Sequence, residues 1–209
     1  SYSLIFNVRL AALLHDVGHC PFSHLGEGEF DPEVVKQYFL ELLKDQKFKI
    51  SDEIIKIIED SKIKELAAIH EVLSCIIILE CYYDILSTIN VEPKDTNDNC
   101  KIAVDYELII RCILGIEYDI ANTKTLKNNS IKNVCVRLIN SKIFDMDKLD
   151  YIMRDSYFTG IGAPQIDTNR LFENMYFDKS HNMIFTRKAV PALQNMIDAR
   201  DELYMYVYN

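Results

Sequence analysis

The chain has 209 residues, of which 49% are hydrophobic and 26% charged, with only six glycines and five prolines; this excludes a disordered tail and describes an ordinary helix-rich globular protein with enough chain for one core. Its formal net charge of −9 disfavours non-specific attraction to nucleic acid, so a phosphate-bearing ligand would have to be held by a local basic cluster. No apolar run approaches the roughly 18 to 20 residues of a membrane span, and no membrane partner is expected.

Apolar residues at Leu4, Ile5, Val8, Ala11, Ala12 and Leu14 fall at helical spacing, and Gly18 and Pro21 stop that helix at a cluster of histidines. Asp31-Pro32 predicts a second helix, with Asp as N-cap and Pro in the first turn. SDEIIKIIED predicts a third, capped by Ser51, and a fourth is expected from about Ile63 to Leu86 with His70 in its first half. VEPKDTNDNCK reads as a loop, and YELIIRCIL as a helix closed by Gly115. The Asn- and Lys-rich stretch at 120–133 is expected to be a flexible insertion. DMDKLDYIMRDS and QIDTNRLFENM predict helices, MYFDK and SHNMIFTR a β-hairpin, and AVPALQNMIDARDELYMYVY a long last helix. The expected class is all-α with a minor β-hairpin, in a single domain over 1–209.

SYSLIFNVRL reads as the middle of a helix, without a signal-peptide layout, and DARDELYMYVYN stops in mid-pattern. A piece of a longer protein is therefore expected. The six cysteines, Cys20, Cys75, Cys81, Cys100, Cys112 and Cys135, form no C-x-x-C pair. Reduced thiols in a cytoplasmic or nuclear protein are the expectation.

The chemistry concentrates in LAALLHDVGHCPFSHL, which holds three of the five histidines in ten residues. Adjacent His15 and Asp16 at a helix end offer a nitrogen and a carboxylate to one first-row divalent cation, Fe, Mn or Zn. The bland alternative is a packed His15 and a capping Asp16. His19 and His24 follow across a Gly and a Pro that fold the chain back, and imidazole near neutrality can donate a proton to a leaving oxygen. A further carboxylate for a hydrolytic metal site is available in FDMDKLDYIMRDS, where Lys148, Tyr151 and Asp155 share one helix face. That face could equally be a solvated one with Asp145 or Asp147 as its N-cap.

LAALLHDVGHCPFSH, then IHE, then FDMDKLDYIMRDS resembles the HD-domain phosphohydrolases, in the branch of the deoxynucleoside triphosphate triphosphohydrolases. The likeness is strong at 10–27 and 144–162, fair near His70 and in the last helix, and weak at about 31–65 and 90–135. It implies a metal on His15, Asp16 and Asp147, Mg being a further possibility. The family's first His ligand has no counterpart here and is expected in a part of the protein before Ser1. The likeness further implies a dyad of His70 and Glu27, where the family more often has Asp, with His19 and His24 facing the phosphates. Lys148 and Arg200 would bind phosphate, and Tyr151, Asp155 and Tyr208 would meet the deoxyribose. Tyr204 stands where metazoan members have a His.

Arg170 and Lys188 match basic positions of a regulatory nucleotide site, and a homo-oligomer is expected from the family. The implied activity hydrolyses a dNTP to deoxynucleoside plus triphosphate. Two alternatives stay open: a noncatalytic scaffold binding a nucleotide or nucleic acid, and a phosphomonoesterase or phosphodiesterase.

Overall fold

The structure, a computed structural model, describes residues 2–21, 24–89, 102–120, 126–141, 144–161, 166–178 and 182–208. The chain groups into two compact units, Ser1–Glu117 and Tyr118–Asn209. Both are helical, and the only sheet among the described residues is a two-stranded hairpin.

The first unit runs through helices α1 (Tyr2–Leu14), α2 (His24–Glu27), α3 (Pro32–Leu43), α4 (Asp52–Asp60), α5 (Ile63–Leu66), α6 (Ile69–Glu80), α7 (Tyr83–Ser87) and α8 (Tyr106–Leu114). Helix α6 is its axis, packing against α3, α7 and α8, while α1 lies along α8. The sequence explains the burial: in α6, Ile69, Val72, Cys75, Ile76, Ile78 and Leu79 leave no polar stripe, and in α8 every residue but Glu107 is buried. Asn7, 1% exposed, fastens α1 to the entry of α8: its Nδ2 donates to Ala103 O at 3.1 Å and its Oδ1 accepts from Asp105 N at 2.8 Å.

Two expectations need correction here. The helix predicted over 63–86 is three helices, with breaks at Ala67-Ala68 and Cys81-Tyr82. At the first break Glu71 reaches back to accept from Ala68 N at 2.6 Å, which starts α6 afresh without a Gly or Pro to mark it. His70 is therefore the second residue of α6. Ser51 stands at the N-cap position of α4 but makes no side-chain cap; its Oγ donates to Glu107 Oε1 and its N to Glu107 Oε2, both at 2.9 Å. A long-range carboxylate outcompetes the local cap. Asp31, by contrast, caps α3 as read, accepting from Glu33 N.

The second unit holds α9 (Leu126–Ile139), α10 (Met146–Thr159), α11 (Thr168–Glu173), strands β1 (Met175–Phe177) and β2 (Met183–Phe185), and α12 (Val190–Tyr206). The hairpin pairs Met175 with Phe185 and Phe177 with Met183, antiparallel as predicted. Phe144, Leu149, Ile152, Leu171, Ala192, Met196, Ala199 and Leu203 close the core between α10, α11 and α12.

The stretch read as a flexible insertion is corrected in part: 121–125 lie outside the described residues, but 126–133 belong to α9. Its asparagines are anchors rather than loop formers. Asn133, 3% exposed, accepts from Tyr118 N at 2.7 Å and donates to Tyr118 O at 3.0 Å, and Asn129 donates to Asp119 O at 2.7 Å. Among the described residues no helix is long and apolar enough to cross a membrane.

Candidate active site

In the first unit, α1 ends at Leu14 and the next residues, His15 to Gly18, form a turn. His15 Nδ1 donates to Ala12 O at 2.9 Å, which places its proton on Nδ1 and turns the Nε2 lone pair toward Asp16, 3.4 Å away at Oδ2. Two donor atoms at that spacing match one edge of a coordination shell with bonds of about 2.1 Å. His19 follows one turn on, its Nε2 3.6 Å from Asp16 Oδ1.

Gly18 decides where this turn can go. A Cβ at Gly18 would lie 2.3 Å from Ser74 N and 2.6 Å from His70 O, so only glycine lets the turn lie against the α6 backbone. The sequence reads Gly18 as a helix stop; its larger role is this close approach. The result is that His19 and His70 stack, ring centroids 4.0 Å apart and planes 12° from parallel. Ligand atoms of Asp16, His19 and His70 all lie within 4.8 Å of one another.

Glu27, at the end of α2, reaches His70 Nδ1 at 2.9 Å. A second tight glycine permits it: a Cβ at Gly26 would fall 2.5 Å from Pro21 O, so the chain folds back closely on itself before Glu27. The two partners are 12% and 13% exposed, whereas Asp16 is 45% exposed. A shielded acid–base pair thus sits behind a solvent-facing carboxylate. His24 opens α2, and its side chain lies outside the described residues.

In the second unit Asp145, not Asp147, caps α10, accepting from Lys148 N, and Asp147 falls in the first turn. Lys148 Nζ donates to Asp145 Oδ2 and to Ser141 O. Of the predicted sugar and phosphate residues, Tyr151, Asp155, Arg200, Tyr204 and Tyr208 form one connected group, while Lys148 is engaged with Asp145 and Ser141 instead. Tyr208 donates to Asp155, the Tyr151 and Tyr208 rings lie 6.5 Å apart, and the Arg200 guanidinium lies 4.6 Å over the Tyr204 ring. Tyr204 meets Tyr208 edge-on at 5.3 Å. Burial pushes the Tyr151 hydroxyl up, against an opposing effect of Arg200; burial and the Asp155 carboxylate push Tyr208 up further. Tyr208 joins this face from beyond the end of α12. Arg170 and Lys188 are exposed and adjacent, Arg170 Nε donating to Lys188 O at 2.6 Å.

Sequence reasoning missed Ser74, which accepts a hydrogen bond from Gly18 N at 2.8 Å. The available signal was a polar residue inside the apolar run VLSCIIIL, four positions after His70.

Residues 3–103 match the HD domain family, and an HD domain is therefore present in the chain. Domains of this family are typically metal-dependent hydrolases that bind divalent metals, and the nitrogen and oxygen donors of Asp16, His19 and His70 are a set that such an ion accepts. The chain is similar to the uncharacterized protein MG461 homolog of Mycoplasma pneumoniae, 27% identical over 205 residues, covering 97% of this chain and 37% of that protein. It is also similar to the uncharacterized protein YwfO of Bacillus subtilis, 31% identical over 96 residues, 45% of this chain and 21% of that protein. The putative HD domain-containing protein L394 of Acanthamoeba polyphaga mimivirus is 24% identical over 202 residues, 97% of this chain and 33% of that protein. The chain thus spans little more than a third, at most, of these relatives. No solved structure matches it.

Proposed function

We propose that this chain carries a metal-dependent nucleotide phosphohydrolase activity that converts a deoxynucleoside triphosphate to a deoxynucleoside and inorganic triphosphate. The observation that carries the reading is the shielded His70–Glu27 pair, 2.9 Å apart, set behind the exposed Asp16 carboxylate and against the His19 ring. His15 and Asp16 are the residues of the first unit that would hold the ion. A divalent ion there supplies Lewis-acid polarisation of phosphate oxygen and acidification of water.

The protein's own groups do the rest. Glu27 accepts the Nδ1 proton of His70 and so presents Nε2 as the atom that gives or takes a proton at the leaving oxygen. His19, parallel to that ring, lines the same side of the phosphate. Arg200, stacked over the Tyr204 ring, would offset phosphate charge, as the resemblance implies. The Asp155–Tyr208 pair offers an acceptor and a phenol to the sugar hydroxyl.

The test incubates the full-length protein, loaded with Mn²⁺, with each dNTP and separates products by chromatography. Triphosphate with deoxynucleoside is expected. Orthophosphate as the sole product replaces the reading with a phosphomonoesterase, and tight binding without turnover replaces it with a scaffold. His70→Ala is expected to lower kcat by about 10²- to 10⁴-fold with Mn²⁺ still bound; loss of the metal instead makes His70 a ligand.

A further inference from the structure

The turn after α1 satisfies two of its amides internally, Val17 N donating to Leu14 O at 3.3 Å and His19 N to Asp16 O at 3.1 Å. Gly18 N lies between them and donates to Ser74 Oγ. Ser74 is wholly buried. It stands four residues after His70 on α6, so its hydroxyl and the His70 side chain share one helix face. The same glycine is already pressed to the backbone of His70, Leu73 and Ser74. One hydrogen bond and one tight packing contact therefore fix the residue two after Asp16 against the helix turn that bears His70. No flexible side chain lies between the two.

We propose that Ser74 is a positioning residue for the His15–Asp16–His19 turn: by anchoring the Gly18 amide, its hydroxyl sets the separation at which Asp16 and His19 face His70. The proposal rests on the hydrolase reading for its importance to catalysis but not for its geometry. Alanine at 74 leaves the Gly18 amide buried without its acceptor, and the turn moves to rehydrate it. Displacement of reacting groups by about an ångström costs about 10²-fold in rate, and loss of a residue that orients metal ligands costs about 10- to 100-fold in metal affinity.

The test begins without metal. In the proton NMR spectrum each of the stacked His19 and His70 imidazoles shifts the other's ring protons, so these resonances report the separation directly. Ser74→Ala is expected to move both; Ile58→Val, a change in the buried core of α4, is expected to move neither. Mn²⁺ titration by calorimetry then should show a 10- to 100-fold weaker site in Ser74→Ala, no change in Ile58→Val, and an intermediate value in Ser74→Cys, whose sulfur accepts weakly. Unmoved imidazole resonances in a folded Ser74→Ala protein overturn the proposal whatever the protein hydrolyses. Moved resonances in Ser74→Ala, alongside a wild-type protein that binds no Mn²⁺, keep Ser74 as the positioning residue and remove the hydrolase reading.

Discussion

His15 and His70 carry the same proton arrangement for different reasons. In His15 a backbone carbonyl one helical turn back takes the Nδ1 proton, a neutral partner that fixes the ring without charging it. In His70 a carboxylate takes it, a charged partner that holds the ring through a charge-assisted hydrogen bond. The first arrangement suits a ligand and the second an acid–base group. The length of Glu27 belongs to this geometry, because the pair closes at hydrogen-bond distance with Glu in place. Glu27→Asp, although it restores the residue more usual in the resembling family, is expected to lower kcat by up to about 10²-fold through a retracted carboxylate. Steady-state kinetics with the preferred dNTP check it; a rate equal to wild type removes the Glu27–His70 bond from the mechanism.

At the scale of elements, the ion pairs of the buried Arg111 show how α4 and α8 are tied. Arg111 has no exposed side chain, donates to Glu107 one turn earlier, reaches Glu53 of α4 at 3.1 Å and binds Glu117 O at 2.8 Å. Arg111→Ala leaves Glu107, 14% exposed and already serving Ser51, without its cation. A loss of about 3–5 kcal/mol in urea unfolding is expected, and a loss below about 1 kcal/mol says that this network is hydrated in solution.

The same networks mark the limit of what the sequence alone makes legible. α3, α8, α10, α12 and the hairpin follow from periodicity and from Asp31, Gly115 and Asp145, all local signals. The diversion of Ser51 to Glu107 depends on a partner 56 residues away and the anchoring of α9 on Tyr118, 15 residues before Asn133, while the first break before α6 rests on a Glu71 reach-back that no Gly or Pro marks. In the site, His15, Asp16, Glu27 and His70 are readable from the motif order. Ser74 is not, because a serine hydroxyl acquires its purpose only from the glycine packed against it.

At the scale of the whole molecule, both units hold phenols that resist ionisation. Burial pushes the Tyr106 hydroxyl up to about 12, and among the described residues it has no hydrogen-bond partner; Tyr151 and Tyr208 are also raised. Unfolded tyrosine ionises near pH 10. Above that pH the unfolded chain releases protons that the folded chain keeps, so folding stability falls as pH rises from about 10 to 12. Urea midpoints at pH 8, 10 and 11 should decline, and Tyr106→Phe should make the decline shallower while adding about 1 kcal/mol at pH 8 by removing an unpaired hydroxyl. An unaltered pH slope in Tyr106→Phe places that phenol in water.

The Asn133 bracket on Tyr118 bears on the protein's chemical lifetime. While folded, the amide is shut away from water and engaged on both its oxygen and its nitrogen. In unfolded chain it can hydrolyse to aspartate, which turns the nitrogen that donated to Tyr118 O into a second acceptor facing the same carbonyl. Each heating cycle should therefore leave a growing fraction that cannot dock α9 again, visible as lost refolding amplitude together with conversion at Asn133 in peptide mass spectra. Asn133→Asp made by mutation should reproduce the damaged state from the start.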